Sequence, residues 1–551
     1  MPVFKACGQV INSPDDLKNI PESLWPDVAD ALRNFLLSLK VDKPAHLASS
    51  LTATEITVAV HAVLNSPQDR IAFDVGHQAY AHKVLTGRAE RMEELRTING
   101  PSGFLWPEES PHDILVTGHS STSLSVIAGM AYADMLAGKK DIRYAVVIGD
   151  GALTAGVAYE ALNTIGQYQL PVTIILNDND YSIDPTMGAV HLKGGYESLM
   201  KAMHIGYRKN INGHDVPMLC EAIRSCAAQP MMLHCHTRRE ILSESKPAKK
   251  GTFTHTVNNY LFEKMTEDES VVLVTPAMIS GAGWGALKRA FPTRVIDVGI
   301  AEQNAVAFCA GLIKSGMKPV CHLYSSFFQR ALDQFIHDIA LEGLPVTFLI
   351  DRVGLVGEDG PTHHGLYDLN VLLSIPGVRI FFPTTAERTP VALAKAMSET
   401  HISVVRYPRD GVMGNQHVHQ ISNNDNVMVY YGAQGRKAEE VKHRLSEKNI
   451  DLDVYAFEDS AEIVALTQAL TSYKNVIFLE EGFASFGLCE WVLSNMLKGG
   501  LNLPNVLRVG LPHEIIKHGS LKDIELYYGI NSHSVVNKIS SFVGNSASKC
   551  N

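Results

Sequence analysis

Short apolar runs alternate along the whole chain with stretches of helical periodicity. In the first 240 residues the runs are RIAFDV, YAVVIGD and PVTIILND, and helical stretches such as SLSVIAGMAYADMLAG lie between or after them. A second series contains VVLVT, RVIDVG, PVCHLY, PVTFLID, VRIFFP and SVVRYP, and a third contains NVMVYYGA, DLDVYAFE and NVIFLEE. Val- and Ile-rich runs without polar alternation are typical of strands buried on both faces, so the pattern predicts parallel sheets covered by helices. The predicted fold class is doubly wound α/β.

Three such series predict three α/β domains, because 551 residues exceed the size of one domain. The predicted bounds are 1–240, 257–420 and 421–551. A polar stretch with Pro and Gly predicts a linker at 241–256. Ligands of open parallel sheets bind beyond the carboxyl ends of the strands. Functional residues are therefore expected directly after the apolar runs.

Composition narrows the class of protein and its partners. The formal charge of −10 argues against a nucleic-acid partner, which needs a basic face. No apolar run approaches the roughly 18 residues of a membrane span, and the start lacks the pattern of a secretory or transit peptide. Eight cysteines without a CxxC pair are typical of reduced thiols. These features predict a cytoplasmic protein with no membrane partner.

The sharpest motif is a pair of strand ends. One strand ends in Gly149-Asp150-Gly151, and the next ends in Asn177-Asp178-Asn179. Asp150 and Asn179 are 29 positions apart, a β–α–β spacing that places both at one sheet edge. Carboxylate and amide oxygens suit Mg²⁺, and small residues at a helix start let backbone N–H groups approach phosphates. A glycine-rich turn followed by an unrelated Asn/Asp turn is the structural alternative.

Two weaker patterns have structural interpretations. His234-Cys235-His236 has metal-ligand residue types, but it lies in a predicted strand, where neighbours point to opposite faces. Gly281-Ala-Gly283-Trp-Gly285 loosely resembles a dinucleotide fingerprint, with its third glycine misplaced and Asp297 too close. The first is interpreted as part of a strand and the second as a tight turn.

Many segments together resemble the 1-deoxy-D-xylulose-5-phosphate synthase family of transketolase-like thiamine diphosphate (ThDP) enzymes. The resemblance covers nearly the whole chain and includes the segments FDVGHQAYAHKVLTGR, GHSSTSLS, VIGDGALTAG, ILNDNDYSI, GIAEQNAV, LYSSFFQRALDQ, IDRVGLVGEDGPTHHG and VVRYPR. It implies ThDP and Mg²⁺ as cofactors, and small-molecule substrates, a 2-keto acid and a phosphorylated aldehyde. It also implies a homodimer. The first domain would bind the diphosphate and Mg²⁺, the second the aminopyrimidine, and the third would be the C-terminal transketolase-like domain.

The resemblance also implies roles for single residues in cofactor binding. The Mg²⁺ ligands would be Asp150, Asn179 and the carbonyl of Tyr181. Glu302 would contact the aminopyrimidine ring as the catalytic carboxylate, and Phe327 would stack on that ring. The remaining cofactor-binding residues would be His77, Gly118, His119, Ser120, Gly151 and Ala152.

A second set of candidate residues would take part in proton transfer and phosphate binding. Histidine is suited to proton transfer near neutral pH, and the candidates are His46, His77 and His363. Asp359 would hold a substrate hydroxyl or orient His363. The acceptor phosphate needs fixed cations and donors, and the matching residues are Tyr324, Arg330, Arg352 and Arg406. Each of these residues could instead have a structural role, such as a core histidine or a surface ion pair.

The sequence departs from the family pattern at four places. Asn304 stands where a histidine usually follows IAEQ, and the segment 192–215 after the NDN loop is much abbreviated. The usual GRGY of the linker is replaced by the residues at 240–243, and the usual glycines of an earlier loop by Ser50 and Thr52. We expect cofactor binding and carboligation to be retained, with donor or acceptor preference changed or closure over the intermediate weakened.

Three alternatives stay open at this point. A related ThDP enzyme could use a different donor or phosphorylated aldehyde, including a ketol transferase with a sugar-phosphate donor and no CO2 release. A homologue without activity could have a binding role, although a binding role would not require the retained Glu302, Asp150 and Asn179. A nucleotide-dependent oxidoreductase depends on the weak glycine turn alone.

Overall fold

The computed structural model describes residues 3–39, 47–182, 184–226, 228–239, 251–408 and 424–548. They form two compact units. The first contains the described residues up to 239 together with Val298–Ala301, and the second contains residues 251–297 together with the described residues from 302 onward. The predicted residue His46 and the substituted linker positions 240–243 lie outside the described residues. No helix among the described residues is long and apolar enough to cross a membrane.

The first unit contains a five-stranded parallel sheet with the strand order β3-β4-β5-β7-β6. Its central strands are buried along nearly their whole length because their Val, Ile and Leu side chains pack under helices on both faces. The strands of this unit, with a small antiparallel pair at its start, are β1 Lys5–Ala6, β2 Gln9–Val10, β3 Arg70–Asp74, β4 Tyr144–Gly149, β5 Val172–Asp178, β6 Gly206–Asn212 and β7 Met231–His236.

The helices of the first unit lie between these strands. Two of those described begin at a side-chain cap, Ser13 and Asp215, and the carboxylate of Asp215 accepts from the Met218 N–H. The helices are α1 Pro14–Lys18, α2 Trp25–Ser38, α3 Leu47–Thr52, α4 Thr54–Val63, α5 Tyr80–Lys83, α6 Ser123–Leu136, α7 Asp150–Leu153, α8 Gly156–Tyr168, α9 Ala189–Leu192, α10 Tyr196–Ala202 and α11 Val216–Arg224.

Two further parallel sheets form the second unit. The larger has six strands in the order β12-β13-β11-β10-β8-β9, and the smaller has four in the order β15-β14-β16-β17. Their strands are β8 Val271–Thr275, β9 Val295–Asp297, β10 Lys318–Tyr324, β11 Thr347–Asp351, β12 Arg379–Phe381, β13 Ser403–Tyr407, β14 Asn426–Tyr431, β15 Asp453–Phe457, β16 Asn475–Phe483 and β17 Asn505–Leu511.

The first helix of the second unit begins inside the predicted linker. Thr252 caps it by accepting from the His255 N–H, so the helix starts at Phe253 rather than after residue 256. The helices of this unit are α12 Phe253–Glu267, α13 Gly285–Ala290, α14 Glu302–Lys314, α15 Ser325–Phe328, α16 Leu332–Gln334, α17 Asp368–Ser374, α18 Thr389–Met397, α19 Gly435–Ser446, α20 Ile463–Leu470, α21 Leu488–Lys498, α22 Leu521–Tyr527 and α23 Ser532–Ser548.

The second and third predicted domains lie in one compact unit. Arg379 pairs with Asp459 across the two sheets at 2.8 Å, and the ring of Phe382 packs 5.7 Å from that of Phe457. The division of this unit into separate domains at residue 420 stays a prediction, and the residues around it lie outside those described.

The apolar runs are all strands, which confirms the predicted α/β class, but two strands of the parallel sheets were missed. GYRKNIN forms the edge strand β6 and NVLRVGL the edge strand β17. Both expose much of their length, so they lack the continuous apolar run on which the prediction depended. The abbreviated segment 192–215 therefore contains a helix and an edge strand of the first sheet.

Candidate active site

The two strand ends that contain the predicted metal ligands lie side by side at the carboxyl edge of the first sheet. β4 and β5 are parallel with Gly149 opposite Asn177, so the residues that follow each strand leave the sheet side by side. Asp150 begins α7 and Asp178 ends β5. One carboxylate oxygen of each lies within 4.8 Å of the other and of a ring nitrogen of His191. Asp178 and His191 were not predicted as site residues.

Asp150 is a buried carboxylate with only part of its hydrogen-bonding capacity used. It is 1% exposed, and its Oδ2 accepts from the Thr186 hydroxyl at 2.7 Å. Its Oδ1 has no hydrogen-bond partner among the described residues. Burial, opposed by the Thr186 hydrogen bond and reinforced by the charge of Asp178, raises the pKa of Asp150 to about 7. An unpartnered buried carboxylate oxygen is the arrangement that a divalent cation satisfies, so the site fits Mg²⁺.

The two asparagines of the NDN segment have different roles. Asn177 points inward, where its amide donates to Gln78 at 2.7 Å and its carbonyl accepts from Thr237 at 2.5 Å. Asn179 lies at the loop, and its Oδ1 accepts from the Tyr181 N–H at 3.1 Å. Asn179 and the backbone of Tyr181 are thus held in one turn beside Asp150. Asn177 supports that turn from the core.

Gly151 is needed for the close approach of the two loops. A Cβ at this position would lie 2.5 Å from the Cβ of Ser182. Any larger residue would push the loop after β5, which contains Asn179, Tyr181 and Ser182 and is called the metal loop below, away from the start of α7. The glycine of the GDG motif is thus explained by the backbone approach that a diphosphate site also needs. Ala152 follows it and is buried.

Asp74 fixes the loop with three predicted cofactor residues. Its carboxylate accepts from the Ser121 N–H at 2.6 Å and the Ser123 N–H at 3.1 Å, which holds the loop containing Gly118, His119 and Ser120. The motif FDVGHQ places an aspartate at the end of a strand, which was the available signal for its role. The sequence interpretation did not use it.

His77 lies on the turn that follows β3, and it contacts Ser50, one of the residues at which the sequence departs from the family pattern. The Ser50 hydroxyl donates to the His77 carbonyl at 2.5 Å. Thr52, the second substituted position, lies 3.4 Å from the inward-pointing amide of Asn177. Both side chains on α3 are therefore used to support the predicted cofactor segments.

Glu302 is the corresponding buried carboxylate of the second unit. It is 4% exposed at the start of α14, and its Oε2 has no hydrogen-bond partner among the described residues. Arg330 approaches Oε2 only to 3.8 Å. Burial raises the pKa of the Glu302 carboxyl, and the charge of Arg330 opposes that rise. A carboxyl in this state is suited to sharing a proton with a ring nitrogen.

An aromatic group lies at the end of β10. The rings of Tyr324 and Phe327 stack with an interplanar angle of 8° and centroids 5.6 Å apart. His363 packs edge-on against Phe327 at 5.5 Å, and its Nδ1 lies 2.9 Å from the Thr362 hydroxyl. Asp359 precedes the turn that contains Thr362, four positions before His363. The predicted stacking residue and the predicted proton-transfer histidine are therefore neighbours.

Arg352, one of the predicted phosphate ligands, contacts this aromatic group. Its guanidinium lies 4.2 Å from the centroid of the Tyr324 ring. It donates to the Gly281 carbonyl at 2.7 Å and forms an ion pair with Asp351. A Cβ on Gly281 would meet the Tyr324 hydroxyl at 3.2 Å, so this glycine belongs to a close turn beside Arg352. This packing supports the tight-turn interpretation of the glycine-rich stretch.

Arg406 has a different environment from Arg352. It is 3% exposed, and its Nε and one terminal nitrogen bond both oxygens of Asp368 at 2.6 and 3.1 Å. Its other terminal nitrogen bonds Glu481 of β16 at 3.2 Å. A phosphate would have to compete with two buried carboxylates for this guanidinium. Arg406 is therefore paired with two carboxylates of the fold itself.

The predicted histidine strand is part of a hydrogen-bond network. His234 and His236 lie on one face of β7, with ring centroids 4.3 Å apart. His234 bonds Asp178 through Nε2 and the Tyr207 hydroxyl through Nδ1, each at 2.7 Å. Cys235 is buried on the other face. Because both ring nitrogens of His234 are engaged, the structural interpretation of this motif is favoured.

Comparisons with known proteins find relatives that are described as 1-deoxy-D-xylulose-5-phosphate synthases. A 1-deoxy-D-xylulose-5-phosphate synthase from Neisseria meningitidis serogroup C is 33% identical over 625 residues, covering 97% of this chain and 98% of the relative. One from Myxococcus xanthus is 40% identical over 428 residues, covering 72% of this chain and 73% of the relative.

The chain belongs to the 1-deoxy-D-xylulose-5-phosphate synthase family.

Two family models match the chain in order. The model of 1-deoxy-D-xylulose-5-phosphate synthase matches residues 9–194, and that of the transketolase pyrimidine-binding domain matches residues 249–413. The first range contains Asp150 and the second contains Glu302. Synthases of this transketolase-like family are transferases that use ThDP and Mg²⁺, and the two unpartnered carboxylates fit those cofactors.

The solved structures that match this chain are less similar to it in sequence than these relatives are. A transketolase from Campylobacter jejuni has 15% sequence identity and a TM-score of 0.48, covering 95% of this chain and 100% of that chain. These values are too low to add to the assignment. The 625-residue alignment with the Neisseria synthase is longer than this 551-residue chain, so this member of the synthase family is abbreviated relative to that one.

Proposed function

We propose that this chain joins pyruvate, with loss of CO2, to D-glyceraldehyde 3-phosphate and releases 1-deoxy-D-xylulose 5-phosphate. The observation that carries the proposal is Glu302, a buried carboxyl with an unpartnered oxygen in the IAEQ segment of a synthase-family chain. A binding-only homologue has no need to keep such a group desolvated, since an unpartnered buried polar atom costs roughly 1–3 kcal/mol. The same holds for Asp150 in the first unit.

The first unit would hold the diphosphate and the metal ion. Asp150, Asn179 and the Tyr181 carbonyl would supply oxygen ligands to Mg²⁺. The small residues at the start of α7 allow backbone N–H groups to approach the phosphates. The remaining contacts would come from His77, Gly118, His119 and Ser120 on the turn and loop beside Asp74, and from Gly151 and Ala152 at the start of α7.

The second unit would hold the aminopyrimidine and move its proton. ThDP, when bound, supplies the carbanion chemistry needed next to a carbonyl. Glu302, whose pKa is raised by burial, would hold a proton at a ring nitrogen. Phe327 would stack on the ring, and its own ring is held in place by contacts with the rings of Tyr324 and His363.

Substrate binding would use the residues around the aromatic group. Arg352 and Tyr324 would bind the acceptor phosphate, with Arg330 and Arg406 as further cations. His363 would transfer protons during the reaction, with Asp359 holding a hydroxyl or orienting it. His77 and His46 are the further candidates for proton transfer, and His46 lies outside the described residues.

The test is to follow CO2 release from pyruvate in the presence of ThDP and Mg²⁺, with and without D-glyceraldehyde 3-phosphate. We expect release to depend on the aldehyde and to match formation of deoxyxylulose phosphate. Glu302→Gln should lower the rate by about 10²–10⁴-fold while ThDP binding, measured by calorimetry, is largely kept. Gln303→Ala, at the exposed neighbouring position on α14, is the matched control and should behave as the parent protein. Full activity of Glu302→Gln would refute the proposal.

A ThDP carboligase with a different donor or acceptor is the second candidate. Asn304 favours it, because an amide that cannot titrate stands where the family pattern has histidine, and the residue is exposed on α14. ThDP binding without CO2 release from pyruvate would support this candidate. Product from a sugar-phosphate donor would identify a ketol transferase.

The assembly and its partners also stay predictions. We propose a homodimer in the cytoplasm that acts on small molecules and has no nucleic-acid or membrane partner. Sedimentation of the purified protein at several concentrations tests the dimer. A monomer at all concentrations, with full activity, would refute it.

A further inference from the structure

A histidine on the short helix after the metal loop lies close to the carboxyl edge of the first sheet at Asp150, which we call the Asp150 edge. His191 lies on α9, directly before the abbreviated segment 192–215. A ring nitrogen of His191 and carboxylate oxygens of Asp150 and Asp178 all lie within 4.8 Å of one another. We refer to these three residues as the Asp150 cluster.

Ligand atoms of one metal ion lie at such separations, because bonds of about 2.0–2.2 Å place them roughly 3–4 Å apart. Proximity of acids and a histidine is not by itself a metal site. The independent observation is Oδ1 of Asp150, which belongs to a residue that is 1% exposed and has no hydrogen-bond partner among the described residues.

The His191 ring is held in a fixed orientation. Its side chain is 6% exposed. Nδ1 lies 3.2 Å from the Tyr196 hydroxyl, and the two rings pack edge to face at 6.1 Å. Nε2 faces the metal loop, 3.2 Å from Oδ1 of Asp180, whose side chain is 83% exposed and can turn into solvent. Metal-binding histidines commonly have one ring nitrogen bonded to a protein group in this way.

We propose that His191 is an additional ligand of the divalent ion at the Asp150 edge, coordinating through Nε2 while its Nδ1–H donates to Tyr196. The proposal rests on the proposed function, which places the ThDP metal ion at Asp150. A site with a nitrogen ligand favours Co²⁺ over Mg²⁺ more strongly than an all-oxygen site does, because imidazole suits transition metals. His191 would thus change the metal preference of this synthase.

The direct test is pulsed EPR of the full-length protein with ThDP and Mn²⁺, produced with ¹⁵N-labelled histidine. We expect the coupling of a coordinated imidazole nitrogen in the parent protein and its loss in His191→Asn. His204→Asn, at an exposed position of the same unit, should retain the coupling. Absence of the coupling in the parent protein would overturn the proposal without depending on how any variant folds.

A second histidine cluster shares Asp178 and requires its own control. Asp178, His234 and His236 also have ligand atoms within 4.8 Å of one another. His236→Asn should leave the nitrogen coupling unchanged. Loss of the coupling in this variant, with retention in His191→Asn, would place the ion at the other cluster and overturn the proposal.

Metal affinities give a further readout that does not depend on activity. Titration in the presence of ThDP should show that His191→Asn weakens Co²⁺ binding about tenfold or more and Mg²⁺ binding by less than about threefold. Equal weakening of both ions would overturn the proposal. Asp150→Asn separates the two hypotheses. If Asp150→Asn leaves Mn²⁺ binding unchanged, the proposed cofactor site itself is wrong, whereas Asp150-dependent binding without nitrogen coupling refutes only the role of His191.

Discussion

The Asp150 edge of the first unit and the Arg406 region of the second both bury charge, but they satisfy it differently. Asp150 keeps one oxygen without a partner among the described residues. Arg406 binds both oxygens of Asp368 and one of Glu481. A buried charged group without a hydrogen-bonding or ionic partner costs free energy, and a ligand that supplies the partner can recover it. A buried charged group that is already paired stabilises the folded state only while its partners remain. Glu302 belongs with Asp150 in this respect, although its missing partner would be a ring nitrogen rather than a metal ion.

A third buried carboxylate shows why a raised pKa alone does not mark a site. Burial raises the pKa of Glu480 to about 7, as it does for Asp150. Glu480 nevertheless accepts from the Tyr431 hydroxyl and from two backbone N–H groups at the start of α21. Its hydrogen-bonding capacity is used, so its role is structural. The incomplete hydrogen bonding of Asp150 and Glu302 is the distinguishing feature.

Removing Arg406 should have the largest effect on stability. Arg406→Ala leaves Asp368 and Glu481 buried without their cation, which typically costs about 3–5 kcal/mol. Chemical denaturation should show this loss. Arg224→Ala removes an exposed ion pair with Glu22 and should cost less than about 1 kcal/mol. Equal stability of the two variants would mean that Arg406 is not a structural residue, and the comparison with Asp150 would fail.

Removing the charge of Asp150 should lower the affinity of the protein for its metal ion. Asp150→Asn deletes a charged metal ligand, so the affinity for Mg²⁺ in the presence of ThDP should fall by at least about 100-fold. Calorimetric titration measures it. Asp180→Asn, which changes a mostly exposed carboxylate in the same loop, is the control and should change affinity by only a few fold. Unchanged Mg²⁺ affinity in Asp150→Asn would contradict the proposed metal site.

The cofactor-free protein should lose stability as pH rises through the range in which Asp150 ionises. The pKa of Asp150 is raised to about 7 in the folded chain from 3.8. The folded state therefore binds more protons than the unfolded state between these values, and stability falls as pH rises from about 4 to 7. Asp150→Asn should remove part of this slope, with a gain on the order of 2 kcal/mol at pH 8. Identical pH profiles for the two proteins would show that Asp150 is not desolvated.

A smaller effect is expected at Tyr324. Tyr324→Phe keeps the ring that stacks on Phe327 and contacts Arg352 but deletes the hydroxyl. A hydrogen bond to a charged group contributes about 1.5–3 kcal/mol, so KM for the phosphorylated aldehyde should rise about tenfold or more. KM for pyruvate should be unchanged. Tyr367→Phe, at a partly exposed position of the same unit, is the control. A rise in KM for pyruvate alone would exclude a phosphate role for Tyr324.

Much of the fold and part of the site could be predicted from the sequence. The Val- and Ile-rich runs identified the central strands, because burial on both faces leaves a local signal in consecutive residues. The edge strands β6 and β17 were missed, since half-exposed strands lack that signal. The GDG and NDN spacing correctly placed Asp150 beside the end of β5. The supporting residue Thr186 was not predicted, because nothing local indicates the hydrogen bond that it forms. Asp74 ends β3, a position that could have indicated a site residue, but its partners Ser121 and Ser123 have no local signal.

The sequence by itself determined the α/β class, the family and the strand ends at which polar residues collect. These properties depend on neighbours along the chain and on short motifs. Only the tertiary structure decided which buried charges are paired. Arg406 is separated by 38 positions from Asp368 and by 75 from Glu481, and Asp150 by 36 from Thr186. Whether a charge meets a partner over such separations depends on how strands and helices pack, because electrostatic and hydrogen-bonding interactions act through space rather than along the chain.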